Sequence, residues 1–259
     1  MFQKNILSEL LNISYEAGDI IMNIYKKNFK VNIKRDNSPV TTADKKAEEL
    51  ILGRLNKKFP NIPIISEEAY SNNVTPNFKN EFFLVDPLDG TKEFIKKNDE
   101  FTVNIAFVNR GISKIGFINV PAKNIIYFSD GKCSYSIKTS FEDGVSIEKA
   151  EKIKVNNQKN NNLIATVSKS HSNDETEKFL KDYDIKKIKF IGSSYKFCLV
   201  ASGKADIYPR MSPTCEWDTA AGHAILRSAG GKVTLLNGKD LKYGFKKNKF
   251  INPSFIARN

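Results

Sequence analysis

Apolar residues near the start of the chain recur at spacings of three and four, which is the pattern of one face of an amphipathic helix. The face consists of Ile6, Leu10, Ile13, Ala17, Ile20 and Ile24. We therefore predict a helix from Phe2 to about Asn28. A second helix is predicted over residues 44–58, where Ala47, Ile51 and Leu55 repeat the same spacing. Both helices need a sheet or other helices to cover their apolar faces.

Shorter apolar runs that follow have the length and composition of β-strands. The run Phe82–Val85 has no polar position, which is typical of a strand covered on both faces. Turn sequences such as Asp130-Gly131 separate the later runs and predict hairpins. The predicted strands are Lys30–Lys34, Ile62–Ile65, Phe82–Val85, Phe101–Val108, Ser113–Val120, Asn124–Ser129 and Lys132–Lys138. This half of the chain is predicted to pack helices on an antiparallel sheet.

The pattern changes at residues 149–162, which are charged, rich in Asn and poor in apolar positions. Such segments are typical of domain boundaries, so we predict an N-terminal domain over residues 1–150 and a C-terminal domain over residues 151–259. Beyond the boundary, strands and helices alternate, which indicates α/β organisation. The predicted elements are strands at 163–167, 188–191, 206–208 and 232–236, and helices at 173–181, 193–202 and 218–229.

Composition excludes several classes of protein. No apolar run of the 259 residues approaches the roughly 20 needed to span a bilayer, and acidic residues near the N-terminus argue against a signal or transit peptide. We therefore expect a cytoplasmic protein, with peripheral membrane contact left open. Three scattered cysteines and two histidines indicate neither a disulfide framework nor a zinc site. Chemistry must come mainly from carboxylates, hydroxyls and bound metal.

The formal net charge of +12 suggests an anionic partner. Lysines far outnumber arginines and are dispersed among Asn and Ile, however, so most of this charge is expected on a solvated surface. A basic nucleic-acid-binding protein is the alternative, but it predicts clustered basic residues with interleaved aromatics. We therefore expect no nucleic acid partner.

The segment Phe82–Thr91 contains the first candidate site. Asp86 follows the apolar run, Pro87 is predicted to end the strand pairing because it has no N–H, and Asp89-Gly90 supplies turn chemistry. The turn would bring Asp89 close to Asp86 and direct the Leu88 carbonyl toward the same space. Such an all-oxygen cluster suits hard cations such as Mg²⁺. The alternative is an ordinary polar turn.

Three other polar positions follow or precede predicted elements. Glu67 and Glu68 lie at the end of the strand Ile62–Ile65, although paired glutamates after a strand are usually surface residues. Asp44 follows Thr41 with the spacing of a capping box, so a purely structural role at the helix N-terminus is one interpretation of Asp44. Asp218 lies in Trp217–Gly222, which begins an Ala-rich helix.

Taken together, Glu67-Glu68, Asp86–Thr91 and Trp217–Gly222 resemble the motifs of the inositol monophosphatase superfamily of Mg²⁺-dependent, lithium-sensitive phosphatases. Within it, the chain is similar to the CysQ-type 3′(2′),5′-bisphosphate nucleotidases. That similarity rests on Lys92–Ile95, Val167–His171 and Ala205–Arg210. The resemblance implies a five-layered αβαβα sandwich with the metal site between the two halves.

The resemblance also implies the site residues. Glu67, Asp86 and the Leu88 carbonyl would hold one Mg²⁺, Asp86, Asp89 and Asp218 a second, and a weaker third ion would lie beside Glu67. Thr91 and Asp44 would orient the attacking water, so Asp44, Glu67, Asp86 and Thr91 are the expected catalytic residues. The expected substrate-binding residues are Gly90, Thr91, Lys92, Ser168, Gly192, Ser193, Arg210 and Asp218.

The implied reaction is attack of a Mg²⁺-activated water on the 3′-phosphate of 3′-phosphoadenosine 5′-phosphate, which gives AMP and phosphate. Arg210 and Lys92 are the candidates for the 5′-phosphate, because arginine can bind it with two hydrogen bonds and lysine as a point charge. Helix N-termini near Ser193 and Asp218 could direct N–H groups at substrate oxygens. The alternative substrates are inositol monophosphate and fructose 1,6-bisphosphate, and the oligomeric state is expected to be monomer or homodimer.

Overall fold

The computed structural model describes residues 4–34, 38–139, 144–157, 161–170 and 174–259. Phe2, His171 and Asn173, which entered the predictions above, lie outside the described residues. Seven α-helices are present in the described part: α1 (Lys4–Tyr25), α2 (Thr42–Lys58), α3 (Glu67–Ser71), α4 (Thr91–Ile95), α5 (Asp174–Leu180), α6 (Tyr195–Ala201) and α7 (Glu216–Ser228). The same residues contain no helix long and apolar enough to cross a bilayer.

The first nine strands are β1 (Val31–Ile33), β2 (Pro39–Thr41), β3 (Ile64–Ser66), β4 (Glu81–Asp89), β5 (Thr102–Asn109), β6 (Ile112–Val120), β7 (Ile125–Ser129), β8 (Ser134–Lys138) and β9 (Glu151–Ile153). Strands β3 to β9 form one sheet in sequence order. Only the β3–β4 pair of this sheet is parallel. The parallel pair places the ends of β3 and β4, and hence Glu67 and Asp86, at the same edge.

Both faces of β4 are covered, as its uninterrupted apolar run predicts. Phe82 and Leu84 belong to the core formed with α6 and α7. Phe83 and Val85 belong to the opposite core, formed with α1 and α2. Alternate side chains of a strand point to opposite faces, so the sheet is sandwiched between two helical layers.

The remaining strands are β10 (Leu163–Ser168), β11 (Ile185–Ile191), β12 (Ile207–Arg210), β13 (Thr214–Cys215), β14 (Lys232–Leu235), β15 (Ile251–Asn252) and β16 (Phe255–Arg258). Five of them form a second sheet in the order β11-β10-β12-β16-β14. Its inner face, with Tyr208 and Phe255, packs on α6 and α7, and its outer face packs on Leu180 of α5. The layers are therefore helix, sheet, helix, sheet, helix, which confirms the predicted fold class.

Two predictions about secondary structure were wrong. Pro87 does not end β4, because a register shift between Asp86 and Asp89 lets the strand continue to pair with β5, and proline is tolerated at such a bulge. Helix α6 begins at Tyr195, after a left-handed Ser193. The C-terminal tail, which gave no prediction, forms β16 between β12 and β14.

The proposed boundary segment contains β9, which pairs with β8 in the first sheet, and the second sheet begins with β10. The change of sheet therefore falls within the predicted segment. The division into two domains at residue 150 stays a prediction.

Candidate metal centre and phosphate pocket

A cavity of about 930 Å³ lies at the edge where β3 and β4 end. It is lined by nearly all the site residues predicted from the sequence: Glu67, Asp86, Leu88, Asp89, Gly90, Thr91, Lys92, Ser168, Ser193, Arg210 and Asp218. The lining residues come from both halves of the chain. Of the predicted set, Asp44 and Gly192 lie outside the lining.

Three carboxylates in this cavity form a cluster able to hold a metal ion. One oxygen each from Glu67, Asp86 and Asp218 lie within 4.8 Å of one another. Glu67 begins α3, directly after β3, and Asp86 lies at the bulge of β4. Asp218 lies in the first turn of α7. The first sheet and the middle helical layer thus bring together residues that are far apart in sequence.

Backbone N–H groups fix two of these carboxylates. The Leu88 N–H donates to Asp86 Oδ1 at 3.0 Å, which is the local turn that Pro87 imposes. The Cys215 N–H donates to Asp218 Oδ2 at 2.8 Å, so Asp218 closes a capping box at the N-terminus of α7. Each carboxylate keeps its second oxygen for another partner.

Asp89 lines the same cavity but is not one of the three carboxylates that lie within 4.8 Å of one another. Its Oδ2 accepts a hydrogen bond of 2.5 Å from the N–H of Ser194, which precedes α6. The N–H groups at the starts of α6 and α7, which were expected to face substrate, are therefore used at least partly to orient the carboxylates of Asp89 and Asp218.

The metal-free carboxylates raise one another's pKa values. Burial is the largest cause and the neighbouring carboxylates add to it, raising the pKa of Asp86 and Asp218 well above the ordinary value. Burial likewise raises the pKa of Asp89 to about 6, although Lys196 and the Ser194 N–H act in the opposite direction. Buried like charges of this kind are stabilised by a bound cation.

A lysine ammonium already balances part of this charge. Lys34 Nζ lies 2.7 Å from Glu67 Oε1 and 2.6 Å from Glu68 Oε1. Burial and the charge of Glu67 raise the pKa of Glu68 to about 7, and Lys34 limits the rise. The carboxylate oxygens of Glu67, Asp86 and Asp218 beside this ammonium are the ligands that hard divalent cations prefer, so the residues present fit such ions.

Asp44 forms the predicted capping box and also accepts a hydrogen bond from Thr91, while its role toward the attacking water stays a prediction. The Thr41 N–H and hydroxyl donate to Asp44 Oδ2 at 2.7 and 2.6 Å, which confirms the capping box. The Thr91 hydroxyl donates to Asp44 Oδ1 at 3.0 Å. Because Thr91 lines the cavity and Asp44 lies behind it, the pair links the capping box to the cavity wall. Burial raises the pKa of Asp44 despite these hydrogen bonds.

Thr91→Ala should reduce turnover by about 10- to 150-fold, the equivalent of one hydrogen bond to a charged group at about 1.5–3 kcal/mol. The hydroxyl to be lost donates to Asp44 Oδ1, so Asp44 would keep its cap but lose its link to the cavity. The measurement is kcat for the implied hydrolysis of 3′-phosphoadenosine 5′-phosphate with saturating Mg²⁺. Thr91→Ser keeps the hydroxyl and should retain most of the rate; equal losses in both variants would contradict this role.

A buried lysine in the cavity was missed by the sequence analysis. Lys196 of α6 lines the cavity with 3% of its surface exposed. Its Nζ donates to the carbonyls of Ile191 at 3.1 Å and Ser193 at 2.5 Å. Burial lowers the pKa of Lys196 to about 8, against the opposing effect of Asp89. The available signal was a single charged residue in the otherwise uncharged helix Tyr195–Ala201.

The other predicted substrate residues differ in their surroundings. Arg210 is buried beside the cavity, and its Nε and Nη2 donate to the carbonyls of Ser212 and Pro213, each at 3.1 Å. Lys92 is exposed at the rim. The Gly192 N–H donates to Glu100 Oε2 at 3.0 Å, and a Cβ at Gly192 would lie only 2.5 Å from Glu93 Cγ. Gly192 thus serves close packing beside the cavity, and its role toward substrate stays a prediction.

Comparison with known proteins places this site in a family. The model of the inositol monophosphatase family matches residues 3–259. The chain belongs to the inositol monophosphatase family. The acidic group described above therefore lies in a chain that matches the family model over residues 3–259, and not in an isolated motif.

Several members of the family are similar over nearly their full length. The 3′(2′),5′-bisphosphate nucleotidase CysQ of Buchnera aphidicola is 40% identical over 260 residues, covering 98% of this chain and 94% of the relative. The CysQ nucleotidase of Salmonella typhimurium is 39% identical over 252 residues, covering 96% and 98%. The crystal structure of CysQ from Bacteroides thetaiotaomicron is 40% identical, with a TM-score of 0.81 and coverage of 99% and 97%.

Proposed function

We propose that this chain is a Mg²⁺-dependent phosphatase that hydrolyses the 3′-phosphate of 3′-phosphoadenosine 5′-phosphate to AMP and phosphate. The observation that carries the proposal is one cavity that contains both a carboxylate cluster and two buried cations, Lys196 and Arg210. A phosphate at the metal centre and a second phosphate at the cations would occupy this cavity together. The CysQ relatives, which are named as bisphosphate nucleotidases, support this substrate.

Two Mg²⁺ ions, with a weaker third beside Glu67, are part of the proposal. Glu67, Asp86, Asp89, Asp218 and the Leu88 carbonyl would hold the ions. When bound, Mg²⁺ supplies charge neutralisation to the phosphoryl group and makes water a better nucleophile. The protein's own contribution is to hold these oxygens in place before the ions arrive.

Thr91 and Asp44 would place the attacking water. The Thr91 hydroxyl can donate its single hydrogen to Asp44 Oδ1 at 3.0 Å or to the Leu88 carbonyl at 3.3 Å. In either case a lone pair of Oγ1 remains able to accept a hydrogen bond from water in the cavity. Asp44 in turn is held by Thr41. In phosphoryl transfer most of the protein's work is such positioning together with electrostatic stabilisation.

Lys196 and Arg210 would bind the 5′-phosphate. Burial is the largest cause that lowers the pKa of Lys196, and repulsion by the charge of Arg210 adds to it. An anion between them would relieve that repulsion and would gain charge-assisted hydrogen bonds. Lys92, the earlier candidate, is exposed at the rim, and we assign it the weaker contribution.

The test is phosphate release by the purified protein with Mg²⁺. The substrates, offered separately, are 3′-phosphoadenosine 5′-phosphate, inositol 1-phosphate and fructose 1,6-bisphosphate. We expect strong preference for the nucleotide. Preference for inositol phosphate or the sugar bisphosphate would keep the metal centre and overturn the roles of Lys196 and Arg210. A folded protein that releases phosphate from none of them would refute the proposal.

A further inference from the structure

Asp89 is held by more than its metal-site neighbours. Besides the 2.5 Å bond from the Ser194 N–H, its Oδ2 lies 3.4 Å from Asn104 Nδ2 and 3.5 Å from the Thr102 hydroxyl. Thr102 and Asn104 are fully buried on β5, and Ser194 is 3% exposed. Among the described residues, Asp89 accepts its hydrogen bonds at Oδ2, from the Ser194 N–H and the Asn104 amide, because the single Thr102 hydrogen goes to Ser194 Oγ. Oδ1 is thereby left for a cation.

The hydrogens in this cluster can be assigned to a single direction. The Ser194 hydroxyl donates to Asn104 Oδ1 at 2.7 Å, since an amide oxygen only accepts. Ser194 Oγ must then accept from the Thr102 hydroxyl, 2.8 Å away. The chain of donors therefore runs from Thr102 to Ser194, then to Asn104, and from the Asn104 amide to Asp89. This orientation of the Asn104 amide follows from Asp89, because an ionised carboxylate only accepts and the NH₂ group must therefore face it.

The backbone before α6 is also shaped for this contact. Ser193 has a φ of 50°, a left-handed conformation that is strained for a residue other than glycine. Gly192 beside it has no room for a Cβ. This turn points the Ser194 N–H at Asp89, across the junction between the first sheet and the middle helices. A strained conformation of this kind is retained because its surroundings fix it.

We propose that Thr102, Asn104 and Ser194 are positioning residues that hold Asp89 with one oxygen directed at the metal centre. This inference rests on the proposed function for the identity of the ion but adds residues on which metal binding depends. Partners of this kind, which contact a ligand and not the metal, set metal affinity by fixing the ligand's orientation. The second half of the chain then contributes the Ser194 amide and hydroxyl to the metal centre in addition to Asp218.

Asn104→Leu is the variant that interrupts the series of hydrogen bonds from Thr102 to Asp89. We expect it to weaken Mn²⁺ binding at one site by about 10- to 100-fold and to leave the other site nearly unchanged. The measurement is Mn²⁺ binding by electron paramagnetic resonance, without substrate. Ser134→Ala is the matched control, because it removes a buried 2.6 Å hydrogen bond to the Ile225 carbonyl, seven residues along α7 from Asp218. The control should bind Mn²⁺ like the wild type.

Thr102→Val covers the case in which Asn104→Leu does not fold. It keeps the shape of the side chain and removes only the first donor, so we expect about a 2- to 10-fold loss of Mn²⁺ affinity at the same site. Wild-type Mn²⁺ affinity in folded variants would overturn the proposal, whatever their melting temperatures. A wild-type protein that binds Mn²⁺ but does not hydrolyse the nucleotide would overturn the proposed function alone.

Discussion

Asp86→Asn should abolish nearly all turnover, by about a thousandfold or more, and leave the protein folded. Asp86 belongs to the cluster in which Glu67 and Asp218 offer oxygens within 4.8 Å, and it is the residue expected to be shared by two ions. Bound metal contributes several kcal/mol of transition-state stabilisation, and each 1.4 kcal/mol corresponds to about a tenfold change in rate. The measurement is kcat at saturating Mg²⁺.

The same substitution should raise the melting temperature when metal is absent. Burial and neighbouring carboxylates raise the pKa of Asp86 in the folded protein. A carboxyl with a raised pKa destabilises the folded state at neutral pH, and the loss is recovered as the pH falls toward the unfolded value near 4. Neutral asparagine removes this penalty. In EDTA we therefore expect the melting temperature to rise by about 2–4 °C for each kcal/mol gained in the free energy of unfolding. In saturating Mg²⁺ the wild type should be the more stable.

Asp206→Asn is the matched control for both measurements. Asp206 is equally buried and accepts hydrogen bonds from the Ile164 N–H at 2.7 Å and from Asn156 Nδ2 at 3.2 Å, and the cavity lining does not include it. The control should lose stability in EDTA and keep its kcat. Near-normal turnover of folded Asp86→Asn would refute the two-ion assignment.

Much of the fold and the acidic group could be predicted because the signals are local. The apolar run Phe82–Val85 requires cover on both faces, and the structure provides it with two separate cores. The capping box at Thr41 and Asp44 follows from a spacing of three. Glu67 and Asp86 directly follow Ser66 and Val85, which are paired in neighbouring parallel strands, so placing the strands also places the carboxylates.

The remaining features depend on packing between distant segments. Ser194 meets Asp89 only because the middle helices pack on the first sheet, and nothing in its own sequence neighbourhood indicates an acidic partner. Lys196 lies among apolar residues in the sequence, yet its side chain is buried. The local pattern alone predicts that a lysine there is exposed. The bulge at Pro87 lets β4 keep pairing as far as Asp89. Bulges are frequent next to functional sites, where they redirect side chains, and the local sequence does not indicate this one.

Lys196→Met should lower kcat/KM for 3′-phosphoadenosine 5′-phosphate by about 10- to 150-fold, the equivalent of one charge-assisted hydrogen bond of about 1.5–3 kcal/mol. The kcat/KM of Lys196→Met for adenosine 3′-phosphate, which lacks the second phosphate, should change little. Lys92→Met is the matched control, because Lys92 lines the same cavity but is exposed. It should change both substrates only slightly. A larger loss of kcat/KM for the bisphosphate in Lys92→Met than in Lys196→Met would assign 5′-phosphate binding to Lys92 at the rim.

The pH dependence supplies an independent measurement of the same lysine. Burial lowers the pKa of Lys196 to about 8 in the metal-free protein, and only the protonated ammonium attracts a phosphate. Because kcat/KM reports the free enzyme, its value for the bisphosphate should fall as the pH rises through 8. That fall should be absent for adenosine 3′-phosphate and absent in Lys196→Met. An identical alkaline fall for both substrates would assign the titration to the metal centre and remove Lys196 from substrate binding.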